Sequence, residues 1–367
     1  MPKPPVDRGV DAETARTLFD GERLIQARQL AGLLKGDLAK QVQLTPGAIG
    51  QFESGLTKPS IGTLGRLALT LGVPVGYFAA NRPRFDVKEE DTHFRSLRST
   101  TKRERARARA QVALLAEIVA ALERQVRLPP VELPPIDPGS TPEEAAQQTR
   151  EAWGLGDGPI ANMVGLLERK GVIVSRLPTA TDDLDAFSWL GARPFVVLAS
   201  NKEAADRARF DAAHELAHLL LHHDAHPGDP ELERVAHRFA AEFLAPAATI
   251  RQELPSRVDW PVLAKLKLRW GVSMAMLVRR MRDLATISDA TYRRAMMELS
   301  RRGWRKSEPI ALGTPEQPEL VGRAMHLLER LRSFTIDDLA GDLAVSSERL
   351  MPFALEWAAD AREELAP

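Results

Sequence analysis

The string His214-Glu215-Leu216-Ala217-His218 holds the residue types and spacing most suited to chemistry. On a helix, residues four apart lie on one face, so both imidazoles can reach a single metal ion. Glu215 stands beside them, able to take a proton from a bound water. The surroundings predict a helix. Ser200 with Glu203 has the pattern of a capping box, and Asn201 to His223 contains neither Gly nor Pro. Phe210, His214, His218 and His222 make an i, i+4 stripe, flanked by Ala213, Ala217 and Leu221. The bland alternative is a pair of core histidines next to a surface glutamate.

A zinc ion takes a third protein ligand and keeps a fourth position open. The chain has no cysteine, which excludes disulfides, iron–sulfur clusters and thiolate sites and leaves His and carboxylate as ligands. After a Pro- and Gly-containing break at 224–230, a second helix is expected from Glu231 to Ala245, closed by Pro246. It carries Glu233 and Glu242, whose nine-residue separation puts them on opposite faces, so only one can look at the metal. Glu233 shares its face with His237, four residues on, which can orient a ligand from behind. The rival third ligand is His222 or His223. A ligand eight residues along the same helix lies about 12 Å up the axis, out of reach unless the helix breaks. Glu233 is favoured.

The segment from Arg209 to His222, Arg-Phe-Asp-Ala-Ala-His-Glu-Leu-Ala-His-Leu-Leu-Leu-His, resembles the active-site helix of the ImmA/IrrE metallopeptidases. The segment from Glu233 to Pro246 is similar to their second helix, with His237 where the family usually has Asn. The resemblance implies a zincin-like α+β domain, zinc (Zn2+) on His214, His218 and Glu233, and His237 behind the ligands. It also implies an endopeptidase whose protein substrate is a transcriptional repressor, in a stress or phage-related response. In the zincin scheme the metal makes its water acidic near neutrality and stabilises the oxyanion, while Glu215 shuttles the proton to the leaving amine. Arg209, His222 and His237 are candidates for a second oxyanion donor. Upstream, 171–175 and 194–199 read as short strands, and one of them at a sheet edge could hold an extended peptide.

A second motif lies at the N-terminus. Helices are expected to start at Arg23, to run from Lys35 to Val42 with Leu38, Ala39 and Val42 inward, and to run from Pro46 to Glu53 behind a Thr45 cap. A fourth spans Ile61 to Leu71 and stops at Gly72. With Ile49 and the Glu53-Ser54-Gly55…Pro59-Ser60 exit, about sixty residues resemble the Xre/Cro helix-turn-helix. That resemblance implies DNA binding, with Thr45 and Gln51 of the third helix toward the bases. This reading helix carries no Arg or Lys, so a module that docks a protein partner is the alternative.

Charge is segregated behind a net of zero. Residues 93–110 hold seven basic residues against one acid, and 257–306 hold thirteen against four; 139–256 hold eleven against eighteen. Basic blocks of this size are the footprint of a nucleic-acid binder, or else they solvate helix faces and pair with the acidic segment. Arg103, Arg105, Arg107 and Arg109 lie on a long helix expected over Thr101 to Val126, and are candidate backbone contacts. The apolar second half of that helix suits packing or dimerisation, so a homodimer is open. The preceding Phe94-Arg95-Ser96-Leu97-Arg98-Ser99 resembles a stretch of chains that fuse the two modules. Pro129–Pro138 reads as a semi-rigid spacer. Helices are expected over Trp260–Arg269, Met274–Leu284 and Asp289–Arg302, and 336–353 has a faint second helix-turn-helix rhythm.

The expected fold is mostly α with a small β-sheet. Its segments are 1–82 (helix-turn-helix bundle), 83–138 (basic helical linker), 139–255 (peptidase-like domain) and 256–367 (C-terminal helical region). No signal peptide or membrane span is legible, so a cytoplasmic protein without a membrane partner is expected. Three functions fit: a DNA-binding zinc endopeptidase, a regulator whose non-cleaving peptidase-like domain senses a ligand or partner, and a toxin–antitoxin or phage-immunity protein acting by contact. The intact His214, Glu215, His218 and Glu233 set favours the first, because a pure sensor has no need of a general base.

Overall fold

A computed structural model of the chain describes residues 10–80, 82–88, 92–94, 101–177, 186–199, 204–222 and 229–358. The chain divides into two compact units, Met1–Glu89 with Arg98–Leu128 and Glu319–Pro367, and Glu90–Leu97 with Pro129–Pro318. The architecture is mostly helical with one small sheet, as the periodicity of the sequence predicts.

The first unit begins with α1 (Ala12–Thr17), α2 (Gly21–Leu30), α3 (Lys35–Gln41), α4 (Pro46–Glu53) and α5 (Ile61–Leu71). Local chemistry sets their ends. Asp20, Thr45 and Ser60 each accept a backbone N–H of the helix they cap, Pro46 opens α4, and Gly72 ends α5 in the left-handed region. Leu24, Leu38, Ile49 and Leu64 form the buried centre. At Gly21 a Cβ would lie 2.4 Å from the carbonyl oxygens of Phe52 and Glu53, so only glycine lets α2 start so close to the end of α4.

Then comes α6 (Lys102–Glu123), opened by a Thr101–Glu104 capping box. Its apolar half, from Val112 to Leu122, is almost wholly buried. The helix is therefore part of the first unit's core and not a free connector. A buried ion pair ties it down: Arg23 Nη1 donates to Glu117 Oε1 at 2.6 Å, and Gln26 Nε2 donates to the same oxygen at 2.9 Å.

The second unit carries β1 (Thr92–Phe94), α7 (Pro142–Ala152), α8 (Met163–Arg169), β2 (Ile173–Leu177), β3 (Ala186–Leu190) and β4 (Pro194–Ala199). The sheet order is β1-β3-β4-β2, with β2 parallel to β4 and the other pairs antiparallel. Of the two strands expected from sequence, β4 is interior and β2 lies at an edge. Of the Phe94–Ser99 stretch only Phe94, the end of β1, is among the described residues. Five helices pack beyond the sheet: α9 (Ala205–Leu221), α10 (Pro230–Leu244), α11 (Ala247–Glu253), α12 (Trp260–Trp270) and α13 (Met274–Asp283); α14 (Asp289–Arg301) follows. One hydrophobic core joins Val196, Leu216, Phe239, Leu263, Trp270 and Leu277, so residues beyond 255 complete this unit. The Pro-rich stretch is held against the unit too. Glu132 N–H donates to Lys170 O at 3.0 Å, Trp153 Nε1 donates to Glu132 O at 2.8 Å, and Leu133 and Ile136 pack on the core.

The last three helices, α15 (Leu320–Arg332), α16 (Ile336–Leu343) and α17 (Ser347–Ala358), return to the first unit. Here α16 packs on α6 and α17 on α15, while Arg349 Nη2 donates to Leu71 O at 2.7 Å at the end of α5. A cation there complements the helix C-terminus.

Glu117→Ala leaves the Arg23 guanidinium buried without its carboxylate, and such losses cost about 3–5 kcal/mol. Denaturant unfolding of the full chain should show at least about 2 kcal/mol less stability in the transition of the first unit. A change under about 0.5 kcal/mol would contradict the role given to this pair.

Candidate metal centre

The helix that carries the two histidines runs from Ala205 to Leu221, shorter at both ends than the expected 201–223. Its N-cap is Ala204, without a side-chain cap; Ser200, Glu203 and His223 lie outside the described residues. Nearly every residue of α9 is buried, because the sheet covers one side and α10 another. His214, Glu215 and His218 are at most 2% exposed. Helix α10 is opened by Asp229, which accepts from Glu231 N–H, with Pro230 in its first turn. Glu233 thus sits in the first turn, where the helix dipole favours a carboxylate.

Three candidate ligand residues converge. His214 Nε2 lies 3.2 Å from His218 Nε2, Glu233 Oε2 lies 3.3 Å from His214 Nε2, and Glu233 Oε1 lies 3.4 Å from His218 Nε2. Zinc bound at about 2.0–2.2 Å in a tetrahedral shell has ligand–ligand edges of about 3.3–3.6 Å. The edge between the two imidazoles, and the approach of each Glu233 oxygen to one of them, are close to these values; one donor atom from each residue lies within 4.8 Å of the others, and among the described residues this is the group found suited to a metal. Burial opposes the charge on Glu233, but its hydrogen bonds to His214 and His218 and their charge outweigh that and hold its carboxyl below the usual range.

Glu242 faces elsewhere, as the nine-residue spacing requires. It forms an ion pair with Arg280 and accepts Ala247 N–H at 2.8 Å, holding the end of α10 to α13. His222 is at the C-cap of α9, and its Nδ1 lies 2.9 Å from His218 Nδ1. It thus contacts a candidate ligand and does not join the His214–His218–Glu233 group. If His218 keeps the Nε2 lone pair for a metal, its Nδ1–H donates to His222 Nδ1, which fixes both tautomers. His237 Nδ1 donates to the Glu233 carbonyl at 3.0 Å, and its ring stands edge-on to that of His214 at 4.8 Å. Arg209 is committed to Glu316 and to the carbonyls of Ile160 and Ala161, which removes it from the oxyanion candidates.

Glu215 has a partner 27 residues upstream. Ser188 Oγ, on β3, donates to Glu215 Oε2 at 2.8 Å. The other oxygen, Oε1, is buried without a hydrogen-bond partner among the described residues. Burial pushes this carboxyl up to about 7; the charge of His218 and the Ser188 bond pull it down, while Glu233 and Asp211 add to the rise. The only signal for Ser188 in the sequence is a lone hydroxyl between Phe187 and Trp189 in an apolar run.

In the first unit Thr45 and Gln51 are exposed on α4, with Thr45 Oγ1 accepting Ala48 N–H at 3.1 Å and Ile49 buried behind them. Arg103 is exposed on α6, and Arg105, Arg107 and Arg109 are half-buried on the same helix, which packs on α2.

The two units thus combine a helix-turn-helix bundle with a metallopeptidase-like domain. Family models give both a name: the IrrE N-terminal-like domain matches residues 167–282, and the helix-turn-helix domain matches residues 24–78. The chain carries an N-terminal helix-turn-helix and an ImmA/IrrE-type domain, the architecture of a DNA-binding regulator. The first match takes in α12 and most of α13 along with the His–His–Glu group. No curated protein matches the chain. No helix among the described residues is long and apolar enough to cross a membrane.

Purified protein supplied with zinc should hold about one ion per chain by elemental analysis. Glu233→Ala should lose it, whereas Glu242→Ala should keep it and unfold more easily. Retention by Glu233→Ala, or loss only with Glu242→Ala, would overturn the assignment.

Proposed function

We propose that the chain is a DNA-binding zinc endopeptidase that hydrolyses a peptide bond in a protein substrate, a transcriptional repressor. The observation that carries this reading is the triangle of His214, His218 and Glu233 with Glu215 buried beside it, one of its oxygens engaged by Ser188 and the other unused. When bound, zinc supplies Lewis acidity that polarises a carbonyl and makes water acidic near neutrality. The remaining steps belong to side chains of this protein. Ser188 holds Glu215 Oε2, which leaves Oε1 to accept the proton of the attacking water. As the water oxygen bonds to the carbonyl carbon and the C–N bond breaks, the same oxygen returns the proton to the leaving amine. His222 and His237 keep the liganding rings in place from behind, as hydrogen-bonded neighbours of metal ligands do. The helix-turn-helix brings this activity to DNA, with Thr45 and Gln51 on the reading helix and the α6 arginines near phosphates.

Two experiments test the two halves. A mixture-based decapeptide library incubated with zinc-loaded full chain should show internal cuts by mass spectrometry. A chelator should abolish them, added zinc should restore them, and Glu215→Gln should lower them at least about 100-fold while retaining the ion. Undiminished cutting by Glu215→Gln, or no zinc-dependent cut in the library, would contradict the endopeptidase reading. For DNA, Gln51→Ala should relax preference at one base pair by about 1–3 kcal/mol, and Arg103→Ala should weaken all duplexes alike and flatten the salt dependence. Unchanged binding in both variants would remove these residues from the interface.

A further inference from the structure

A cleft of about 450 Å3 adjoins the candidate metal centre within the second unit. One wall belongs to the metal helices: Phe210 lines it, as does His237, the residue whose ring stands edge-on to His214. The Phe210 ring is 5.4 Å from that of His237 and 6.5 Å from that of His214. A group in the cleft is therefore one ring away from a metal ligand. The opposite wall is made by α13, α14 and the segment after them, with Tyr292 and Met296 offering apolar surface and Arg279 and Arg305 offering charge.

The charges in the cleft do not cancel. Arg280 is spent on Glu242 and Ala245 O, and Arg207 on the carbonyls of Arg305 and Lys306. Asp206 is neutralised by Lys267 Nζ at 2.5 Å, which leaves Asp211, 4% exposed, as the one lining acid to set against Arg279 and Arg305. Arg279 is 3.9 Å from Asp283, a loose and partly exposed contact, and Arg305 is exposed and forms no ion pair with a described residue. Two guanidinium groups on a wall that also carries an aromatic ring and a thioether suit a carboxylate on a short aliphatic stem. A DNA backbone would answer the same net charge of residues 257–306, but its phosphates lie on the outside of a wide rod and gain nothing from a pocket with apolar surface on its wall.

We propose that this cleft is a specificity pocket that selects an acidic residue, Asp or Glu, near the scissile bond of the peptide substrate, through Arg279 and Arg305. The proposal rests on the endopeptidase reading for the word substrate, but binding alone tests it. Zinc-supplied full chain carrying Glu215→Gln, which removes turnover, is titrated into fluorescein-labelled octapeptides of Ala, Ser and Leu. One position at a time is Glu, Gln or Lys, and anisotropy is read at physiological salt. At one position Glu should bind about tenfold or more tighter than Gln, the scale of a charge-assisted hydrogen bond, with Lys weakest. Adding Arg279→Gln and Arg305→Gln should bring Glu and Gln to within about twofold, with zinc content and far-ultraviolet dichroism unchanged. Equal binding of Glu and Gln peptides at every position would overturn the pocket, as would a preference that survives both substitutions. If the double variant instead loses affinity for a 20-base-pair duplex while its Glu-to-Gln ratio stays fixed, these arginines belong to a DNA surface. Discrimination without cleavage by the wild type would sink the endopeptidase reading and leave the pocket. Cleavage without discrimination would do the reverse.

Discussion

Everything in the second unit depends on one close approach: α9 and α10 must come near enough for a carboxylate on one helix to touch two imidazoles on the other. Alanine makes this approach possible. Ala212, Ala213 and Ala217 on α9 and Ala236 and Ala240 on α10 are fully buried, and Phe239 and Phe243 fill the space around them. Small side chains let helix axes draw together, and the phenylalanines lock the second helix over the core. The polar groups carried into this interior would be costly alone. They are tolerable because each has a neighbour: Glu233 for His214 and His218, His222 for His218, Ser188 for Glu215. The oxygen left over, Glu215 Oε1, is buried without a hydrogen-bond partner among the described residues.

Buried ion pairs fix the register of the surrounding helices. Arg280 with Glu242 pins α13 to the end of α10, and Lys267 with Asp206 pins α12 to the start of α9. In the first unit Arg23 with Glu117 ties α6 to the helix-turn-helix. Such pairs add little net stability over apolar packing but penalise any misplaced arrangement strongly. Helices α13 and α14 therefore do more than cover the core: with the segment after them they set one wall of the cleft beside the candidate metal centre.

How much of this was legible follows from how local each signal is. The histidine pair is plain because both members lie on one helix; the phase of the second helix allows only one of Glu233 and Glu242 to face it, and the shared face with His237 and the family resemblance select Glu233. Helix starts at Thr45, Ser60, Thr101, Ser273 and Ser288 were readable because a cap is written within four residues. Partners distant in sequence were not. Nothing near Ser188 announces Glu215, and nothing near Arg209 announces Glu316, 107 residues away. The short strands β1 and β3 carry too little alternation to stand out, since β3 is buried at four of five positions. The apolar spacing in the second half of α6 signals packing, but a helix's own residues do not say against what, so its place in the first unit's core is not legible from the basic run before it. The block at 257–306 signalled charge without showing that part of it lines a cleft.

The second unit is read as a zinc site on His214, His218 and Glu233, whose donor atoms, one from each residue, lie within 4.8 Å of one another. X-ray absorption at the zinc edge of the loaded full chain reads that shell directly. The account predicts four-coordinate zinc with N and O ligands at about 2.0–2.2 Å and the outer-shell scattering of two imidazoles, reduced to one in His218→Ala. A six-coordinate oxygen shell, or a spectrum unchanged by that substitution, would contradict it.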